Sequence, residues 1–428
     1  MKLLTQGKSH GNALARRLTP TINSPPPHNT PHAKADTSLR AGRALKQLDA
    51  YIQSQNFLGY DPYDALNSPI LRAITWPHKY ARIAATQAIK RMPINLRPLL
   101  LIPKGYNPKG LGLFLWGYAK LYALNPSDQT FGTIQRLLTE LERLRSRGYS
   151  GNCWGYNFPW QSRAFYLPRY TPTIVNTSFI GHALLDAYRY TGNEEALKLA
   201  LPIVDFLLKD LHRTADGDAI CFSYTPVDET AIHNANLLGA SLLIRLHEAA
   251  GLEDEVKELA LQSLRYSMNY QHDNGAWWYA ETDYQKWIDS FHTGFNLQCL
   301  SYFLELGHGA EYQSAFDRGV EFYTQNLFET DGTAKYYHDR RLPEDIHSYA
   351  QAIVVLSQLG DRHRDLLNRV LARMLERFQS PAGYFYFQRR NHQPNRIPYI
   401  RWAQSWAFHA LTEHALATTL VAASGARQ

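Results

Sequence analysis

The chain has 428 residues and a formal net charge of +7, and 45% of its residues are hydrophobic, 13% aromatic and 19% charged. This composition excludes a largely disordered scaffold, and it supplies enough apolar side chains for a large core without disulfide or metal staples. Residues 1–45 hold seven Lys and Arg residues and one acid, so they carry +6 of the net charge. Because the rest of the chain is nearly neutral, the positive balance does not indicate a nucleic-acid partner.

The first segment in chain order is polar. Residues 1–38 contain a run of three prolines and many Ser, Thr and Asn residues, so we predict a disordered basic leader there. A leading helix is predicted over 39–55, and irregular capping loops over the rest of 39–105. The first ten residues lack the apolar stretch of a secretory signal, and no apolar run is long enough to span a membrane.

Cysteine usage bears on the compartment. Cys153, Cys221 and Cys299 are far apart in the sequence and form no CxxC pair. An odd and sparse cysteine count argues against a disulfide framework and is typical of a reducing compartment. We therefore expect a cytoplasmic protein without a membrane span. The sequence indicates no cofactor and leaves the oligomeric state open.

From residue 106 to 428 the chain repeats one pattern. An apolar helix rich in small residues is followed by a short link and then by an amphipathic helix, and the apolar helix is expected to lie inside. The equivalent positions are Leu111, Val175, His233, His292, His347 and Arg401, which are 64, 58, 59, 55 and 54 residues apart. These steps exceed the period of TPR or HEAT arrays. Six such hairpins predict an all-α (α/α)6 toroid, which could begin as early as residue 60.

Each hairpin closes with a Gly–aromatic segment. Two of these segments have the form Q-x-x-x-G-x-aromatic, at Gln271 to Trp277 and at Gln379 to Phe385. This form resembles the QW-type turn of α/α toroids such as terpene cyclases, where it is structural. The repeat as a whole resembles six-hairpin glycosidases, α/α-toroid polysaccharide lyases and the helical domain of glucuronyl C5-epimerases, without indicating a single family.

In a toroid of this kind the inner helices start at one end, so the equivalent positions are expected to line one cavity. His233, His292, His347 and Arg401 are therefore candidate site residues. Several neighbours are further candidates, namely Asp289, Glu344, Tyr349, Asn176 and Asn234. Each acid comes three residues before a histidine and is either a helix cap or a general acid or base. Each asparagine either binds a neighbouring loop or holds a carboxylate or sugar hydroxyl.

The loops between hairpins are rich in aromatic residues and arginine. Aromatic rings stack on the apolar faces of sugars, and arginine binds carboxylate, sulfate or phosphate groups. The loop candidates are Arg163, Arg169, Arg340, Arg341, Arg396, Trp154, Trp160, Trp277 and Trp287, together with Arg401. They predict an acidic oligo- or polysaccharide as partner, unless these loops only pack on each other.

Two chemistries compete for such a substrate. A lyase or epimerase abstracts a proton next to a uronate carboxylate, with His or Tyr as acid and base. A hydrolase needs two carboxyl groups, for which Asp289 and Glu344 are the best pair. The alternatives are a non-catalytic glycan-binding or polysaccharide-assembly protein and a terpene cyclase-like toroid, although aspartate-rich motifs are missing. A zinc toroid would have to use three histidines, because no cysteine adjoins a histidine; we predict no metal.

Overall fold

The computed structural model of the protein describes residues 31–163, 165–390 and 393–425. The chain begins there with α1 (Pro31–Ser54), a 3-10 turn (Asp64–Asn67), α2 (Pro69–Thr75) and α3 (Lys79–Arg91). The leader predicted for residues 1–38 lies outside the described residues as far as residue 30, and its last eight residues belong to α1.

The rest of the chain is dominated by helices that pair into hairpins. In chain order they are α4 (Pro108–Leu124), α5 (Asp128–Arg143), α6 (Ile174–Thr191), α7 (Glu194–Ala200), α8 (Ile203–Lys209), α9 (His233–Ala250), α10 (Asp254–Asn269), α11 (Ser290–Glu305), α12 (Gln313–Asn326), α13 (Ile346–Gln358), α14 (Arg364–Phe378) and α15 (Trp406–Gly425). Helices α4, α6, α9, α11, α13 and α15 pack side by side in this order, and α15 returns to α4. The ring is closed, and the predicted (α/α)6 toroid is confirmed.

The outer layer consists of the amphipathic helices. Helices α5, α7 with α8, α10, α12 and α14 each follow the inner helix that they cover. The inner helix α15 is covered by α1, which packs on α14 and α15. The toroid therefore takes its sixth outer helix from the start of the described chain, so that the first and last described helices pack together.

Small residues let the inner helices approach each other closely. A Cβ atom on Gly117 of α4 would lie 2.5 Å from the ring of Phe408 of α15, and one on Gly181 of α6 would lie 2.5 Å from Leu242 of α9. The inner helices are buried along most of their length, whereas an outer helix such as α5 buries one face only. This division explains why the inner segments are apolar all round and the outer segments have a polar face.

The Gly–aromatic segments tie each outer helix to the next hairpin. The Gln271 amide donates to the carbonyl oxygens of Gly275 (3.1 Å) and Ala315 (2.9 Å), and Nε1 of Trp277 donates to the Ser267 carbonyl at 2.9 Å. Gly275 has a φ of +86°, which favours glycine over other residues. These contacts satisfy the Ser267 carbonyl near the end of α10 and link the turn to Ala315 of α12, which gives the Q-x-x-x-G-x-W segment a structural role.

Short strands occur in the loops that precede the inner helices. Strands β1 (Trp160–Gln161) and β2 (Tyr166–Leu167) form one antiparallel pair, β3 (Arg213–Asp216) and β4 (Ala219–Phe222) form another, and β5 (Glu344–Asp345), β6 (Gln388–Arg390) and β7 (Gln393–Asn395) form a small sheet. A π-helical turn, Ile400–Ser405, leads into α15. Within the described residues, no helix is long and apolar enough to cross a membrane.

Candidate functional site

A cavity of about 500 Å3 opens where the inner helices begin. Its wall includes side chains from the starts of five of these helices, and the loops before the helices add aromatic rings. The helix residues are Lys109, Val175, Asn234, His292 and His347, and Arg401 of the π-helical turn joins them. The volume is in the range of small-molecule sites. The structure therefore places most of the predicted column in one cavity.

Asp289 and His292 form a hydrogen-bonded pair in this wall. Asp289 caps α11: its Oδ1 accepts the backbone N–H of His292 at 3.0 Å, while its Oδ2 lies 2.6 Å from Nδ1 of the same histidine. Nε1 of Trp287 donates to Oδ2 at 2.9 Å. The carboxylate fixes the His292 tautomer with the proton on Nδ1, which leaves Nε2 as an acceptor. No partner for Nε2 is found in the part of the chain that the structure describes.

A second imidazole, His347, lies in the same wall. It sits in the first turn of α13, where the Asp345 carboxylate accepts its backbone N–H. Its ring stacks on Phe291 at 4.5 Å and meets Trp406 at 4.2 Å. Both ring nitrogens are buried and, among the described residues, have no hydrogen-bond partner. Burial, followed by the charge of Lys109, holds the His347 pKa well below its ordinary value, so this imidazole is neutral.

Lys109 is a buried cation that the sequence analysis did not single out. Its side chain comes from the first turn of α4 and is 3% exposed. Its ammonium lies 4.1 Å from the ring centre of Phe179 and 5.5 Å from that of Trp406, and no carboxylate among the described residues pairs with it. Burial and the nearby Arg401 hold the Lys109 pKa well below its ordinary value. The sequence signal that could have indicated Lys109 is a lysine in the first turn of a mostly apolar helix.

Arg401 lines the cavity, but its charge is compensated. Its guanidinium donates to both carboxylate oxygens of Asp61, at 2.6 and 2.8 Å, and both side chains are buried. Its other face covers the ring of Tyr156 at 4.9 Å. A bidentate pair of this kind holds the loop before α2 against the π-helical turn and leaves Arg401 with little net charge for a ligand.

Three predicted catalytic residues lie outside the cavity lining. Nε2 of His233 is 3.0 Å from a carboxylate oxygen of Glu281, and the His233 ring is buried outside the cavity. Glu344 accepts two hydrogen bonds from Arg377, both 2.7 Å long, and one from the Tyr349 hydroxyl at 3.0 Å. The structure thus brings Asp289, but neither Glu344 nor Tyr349, to the cavity.

The two predicted asparagines differ in position. Asn234 lines the cavity, and its Oδ1 is buried without a partner among the described residues. Asn176 is fully buried, does not line the cavity, and both polar atoms of its amide lack a partner in the described part of the chain. Asn234 is therefore placed to meet a ligand, and Asn176 is not.

Some of the site residues predicted in the loops line the cavity, and others lie outside it. Arg163, Trp160 and Trp287 line the cavity. Outside its lining, Arg169 binds Asn67, Arg340 pairs with Asp339, Arg341 lies 3.9 Å from Asp331, and Arg396 covers the Tyr386 ring. The indoles of the buried Trp154 and Trp277 donate to main-chain carbonyls of Leu141 and Ser267. Most of the arginines therefore have local partners rather than a shared ligand site.

Aromatic residues that were not singled out complete the wall. Tyr63, Tyr156, Tyr224, Tyr279 and Tyr336 line the cavity together with Phe158, Phe165 and Trp402. Tyr279 stacks on Trp287 with ring centres 4.6 Å apart. Burial raises the pKa of Tyr279 and of Tyr336, so both phenols stay protonated and can donate hydrogen bonds. A wall of rings and hydroxyls suits the alternating apolar and polar faces of a sugar.

The metal-binding potential of the described residues depends on how their His, Cys, Asp and Glu side chains cluster. No group of three or more His, Cys, Asp or Glu side chains there could hold a metal ion. His233 does not share the cavity of His292 and His347. The three cysteines are buried and free, and burial raises the pKa of both Cys221 and Cys299 to about 12.

Comparison with known proteins identifies the fold but no single family. No protein-family model and no curated protein sequence matches the chain. Cellobiose 2-epimerase from Spirochaeta thermophila has a similar structure, with a TM-score of 0.57 and 13% identity over 74% of this chain and 87% of the epimerase. Unsaturated glucuronyl hydrolase from Streptococcus agalactiae gives a TM-score of 0.57 and 12% identity over 89% and 91% of the two chains. A polysaccharide lyase gives 0.55 and 10% over 91% and 99%.

These structural neighbours are carbohydrate-active proteins built on the (α/α)6 toroid, as the repeat pattern predicted. They include an epimerase, a hydrolase and a lyase, so the shared fold carries several reactions. With identities of 10 to 13%, the similarity concerns the fold alone.

Proposed function

We propose that the protein is a carbohydrate-active enzyme that removes a proton from a sugar carbon next to a carbonyl or carboxylate group, as epimerases and lyases do. The Asp289–His292 pair, with Nε2 of His292 open to an aromatic cavity, is the observation that carries this proposal. Nε2 takes the proton, and Asp289 stabilises the imidazolium that forms.

The second imidazole and the buried cation complete the reaction. His347 is neutral and has no partner among the described residues, so it is suited to exchange a proton with the opposite side of the sugar or with a leaving group. Removal of the first proton places negative charge on the adjacent oxygen. The amine of Lys109, as an ammonium, would stabilise that charge in a site that water does not screen.

Hydrolysis by two carboxyl groups is supported less well. Such a reaction needs a second carboxyl group facing Asp289 across the bond that is cleaved. Among the described residues that line the cavity, Asp289 is the only carboxylate. Glu344 is held by Arg377 and Tyr349 between α13 and α14. The cavity therefore favours proton transfer between the sugar and the imidazoles over hydrolysis by two carboxyl groups.

We further propose that the substrate is acidic, with a uronate as the simplest example. The support is the two basic side chains in the cavity wall: Lys109 lacks a carboxylate partner in the described chain, and Arg163 is exposed at the rim. A substrate carboxylate would supply the missing counter-ion. If so, Lys109→Met raises KM for uronate-containing sugars much more than for neutral sugars.

The test is incubation with uronate-containing and neutral oligosaccharides in deuterium oxide. An epimerase should place deuterium at one C–H position of the product, whereas a lyase should remove that hydrogen and produce the ultraviolet absorbance of an unsaturated uronate. His292→Ala should abolish whichever of these two reactions the wild type performs. His308→Gln is the matched control, because His308 also pairs with a carboxylate, Glu248 at 2.8 Å, but lies outside the cavity. New reducing ends with neither exchange nor unsaturation would identify a hydrolase, and binding without reaction a glycan-binding protein.

A further inference from the structure

Large hydrophobic side chains are exposed in one short stretch of the chain. Sixteen such side chains are exposed among the described residues, and eight of them fall between residues 70 and 101. They are Ile70, Ile74, Trp76, Tyr80, Met92, Ile94, Leu99 and Leu101. Ile74, Trp76 and Tyr80 are 71%, 62% and 80% exposed. We call the exposed face of α2, α3 and residues 92–104 the rim surface.

The same stretch contains basic residues and no acids. Residues 65–127 include nine Lys and Arg residues but neither Asp nor Glu. Four of the basic side chains, Arg72, Lys79, Arg91 and Lys104, are exposed on the rim surface. Exposed apolar side chains among cations, with tryptophan and tyrosine, are typical of segments that lie in the interface of an anionic membrane.

The rim surface borders the mouth of the cavity. At the start of α3, Lys79 donates to the carbonyl of Arg163, and Nε of Arg82 donates to Gln161 of β1 at 2.9 Å. At its end, the ammonium of Lys90 lies 4.2 Å from the ring centre of Tyr63. Arg163 and Tyr63 both line the cavity, so α3, about 20 Å long, follows the rim between them.

We propose that the rim surface docks the protein on an anionic membrane, with the cavity mouth at the headgroup level. Ile74, Trp76 and Tyr80 would enter the interface, and Arg72 and Arg91 would contact lipid phosphates. Charge argues against a second copy as the occupant, because two acid-free rim surfaces facing each other would repel. The proposal does not depend on the reaction in the cavity, although a docked mouth would favour glycans carried on a lipid.

The test is sedimentation of the purified chain with vesicles of phosphatidylcholine, with and without phosphatidylglycerol. We expect at least 10-fold tighter binding to the anionic vesicles, and weaker binding as salt rises. The variant Ile74→Ser/Trp76→Ser/Tyr80→Ser should lose at least 10-fold in binding. Its matched control is Val227→Ser/Leu420→Ser, which changes side chains that are 60% and 62% exposed but lie outside the rim surface.

Two further measurements keep the test decisive. Brominated lipid should quench the tryptophan fluorescence of the wild-type protein and quench Trp76→Phe much less, and this single change is too mild to unfold the chain. Arg72→Glu/Arg91→Glu should remove the preference for anionic vesicles. Equal binding of all vesicles, no binding, or a dimer that the triple variant dissociates would each overturn the proposal.

Discussion

Nδ1 of His292 lies 2.6 Å from Oδ2 of Asp289, and the other oxygen of the same carboxylate caps the helix that carries the histidine. One carboxylate therefore fixes both the start of α11 and the orientation of the imidazole. Because Trp287 also donates to Oδ2, the carboxylate has little freedom to turn. Nε2 of His292 is directed by the fold rather than by a mobile loop.

Replacing Asp289 tests this relationship. Asp289→Asn keeps the size of the side chain, but its amide can donate to Nδ1 and thereby move the imidazole proton to Nε2. We expect kcat to fall by roughly 10²- to 10⁴-fold, the usual contribution of a positioned acid or base. KM should change little. A normal kcat for Asp289→Asn, measured beside His308→Gln, would remove the pair from the reaction.

Lys109 makes the stability of the toroid dependent on pH. Burial and Arg401 hold its pKa well below the ordinary value, so the unfolded chain binds this proton more tightly than the folded chain does. Stability is therefore reduced at neutral pH and recovers as the pH rises toward the unfolded pKa of lysine. Lys109→Met should unfold at a higher temperature than the wild type at pH 7, and this difference should shrink by pH 10. A constant difference would contradict a depressed pKa.

The Asp61–Arg401 pair anchors the loop before α2 to the cavity wall. Both side chains are buried, 3% and 2% exposed. Asp61→Asn leaves the guanidinium without its counter-charge, and we expect the free energy of unfolding to fall by about 3 to 5 kcal/mol. Asp61→Asn/Arg401→Met should recover much of that loss in urea denaturation, because no charge stays unpaired. A double variant no better than the single one would show that packing, not charge, dominates.

A variant of Glu344 distinguishes proton abstraction by His292 from hydrolysis by two carboxyl groups. Its carboxylate is engaged by Arg377 and Tyr349 and does not reach the cavity. Glu344→Gln should lower the unfolding temperature, because Arg377 loses its charged partner, but kcat per folded molecule should stay within about threefold of the wild type. A loss of activity like that of Asp289→Asn would restore the two-carboxyl hydrolase.

The repeat could be predicted from the sequence because its signals are local. Apolar inner helices, amphipathic outer helices and Gly–aromatic turns recur with a recognisable spacing, and their sum defines a toroid. The helix start within each repeat is less certain. His233 is the first residue of α9, whereas His347, which lines the cavity, is the second of α13. At about 100° of rotation per residue, this offset turns His233 away from the cavity and brings Asn234 to it.

Contacts between distant segments could not be predicted in this way. Asp61 and Arg401 are 340 residues apart, and no periodic pattern links them. The arginine-rich loops indicated a charged cavity, but most of those arginines found local acids or rings once the loops folded. Lys109 was overlooked because one lysine near the start of an apolar helix looks like an ordinary helix end.

In the proposed reaction, His292 moves a proton to and from carbon. The most direct measurement is nuclear magnetic resonance of a uronate-containing oligosaccharide in deuterium oxide with wild-type protein, His292→Ala and His308→Gln. We expect the wild type and His308→Gln either to replace one carbon-bound hydrogen by deuterium or to remove it and form an unsaturated uronate, and His292→Ala to do neither. New reducing ends at unchanged C–H signals, or equal exchange or elimination with all three proteins, would contradict this reaction.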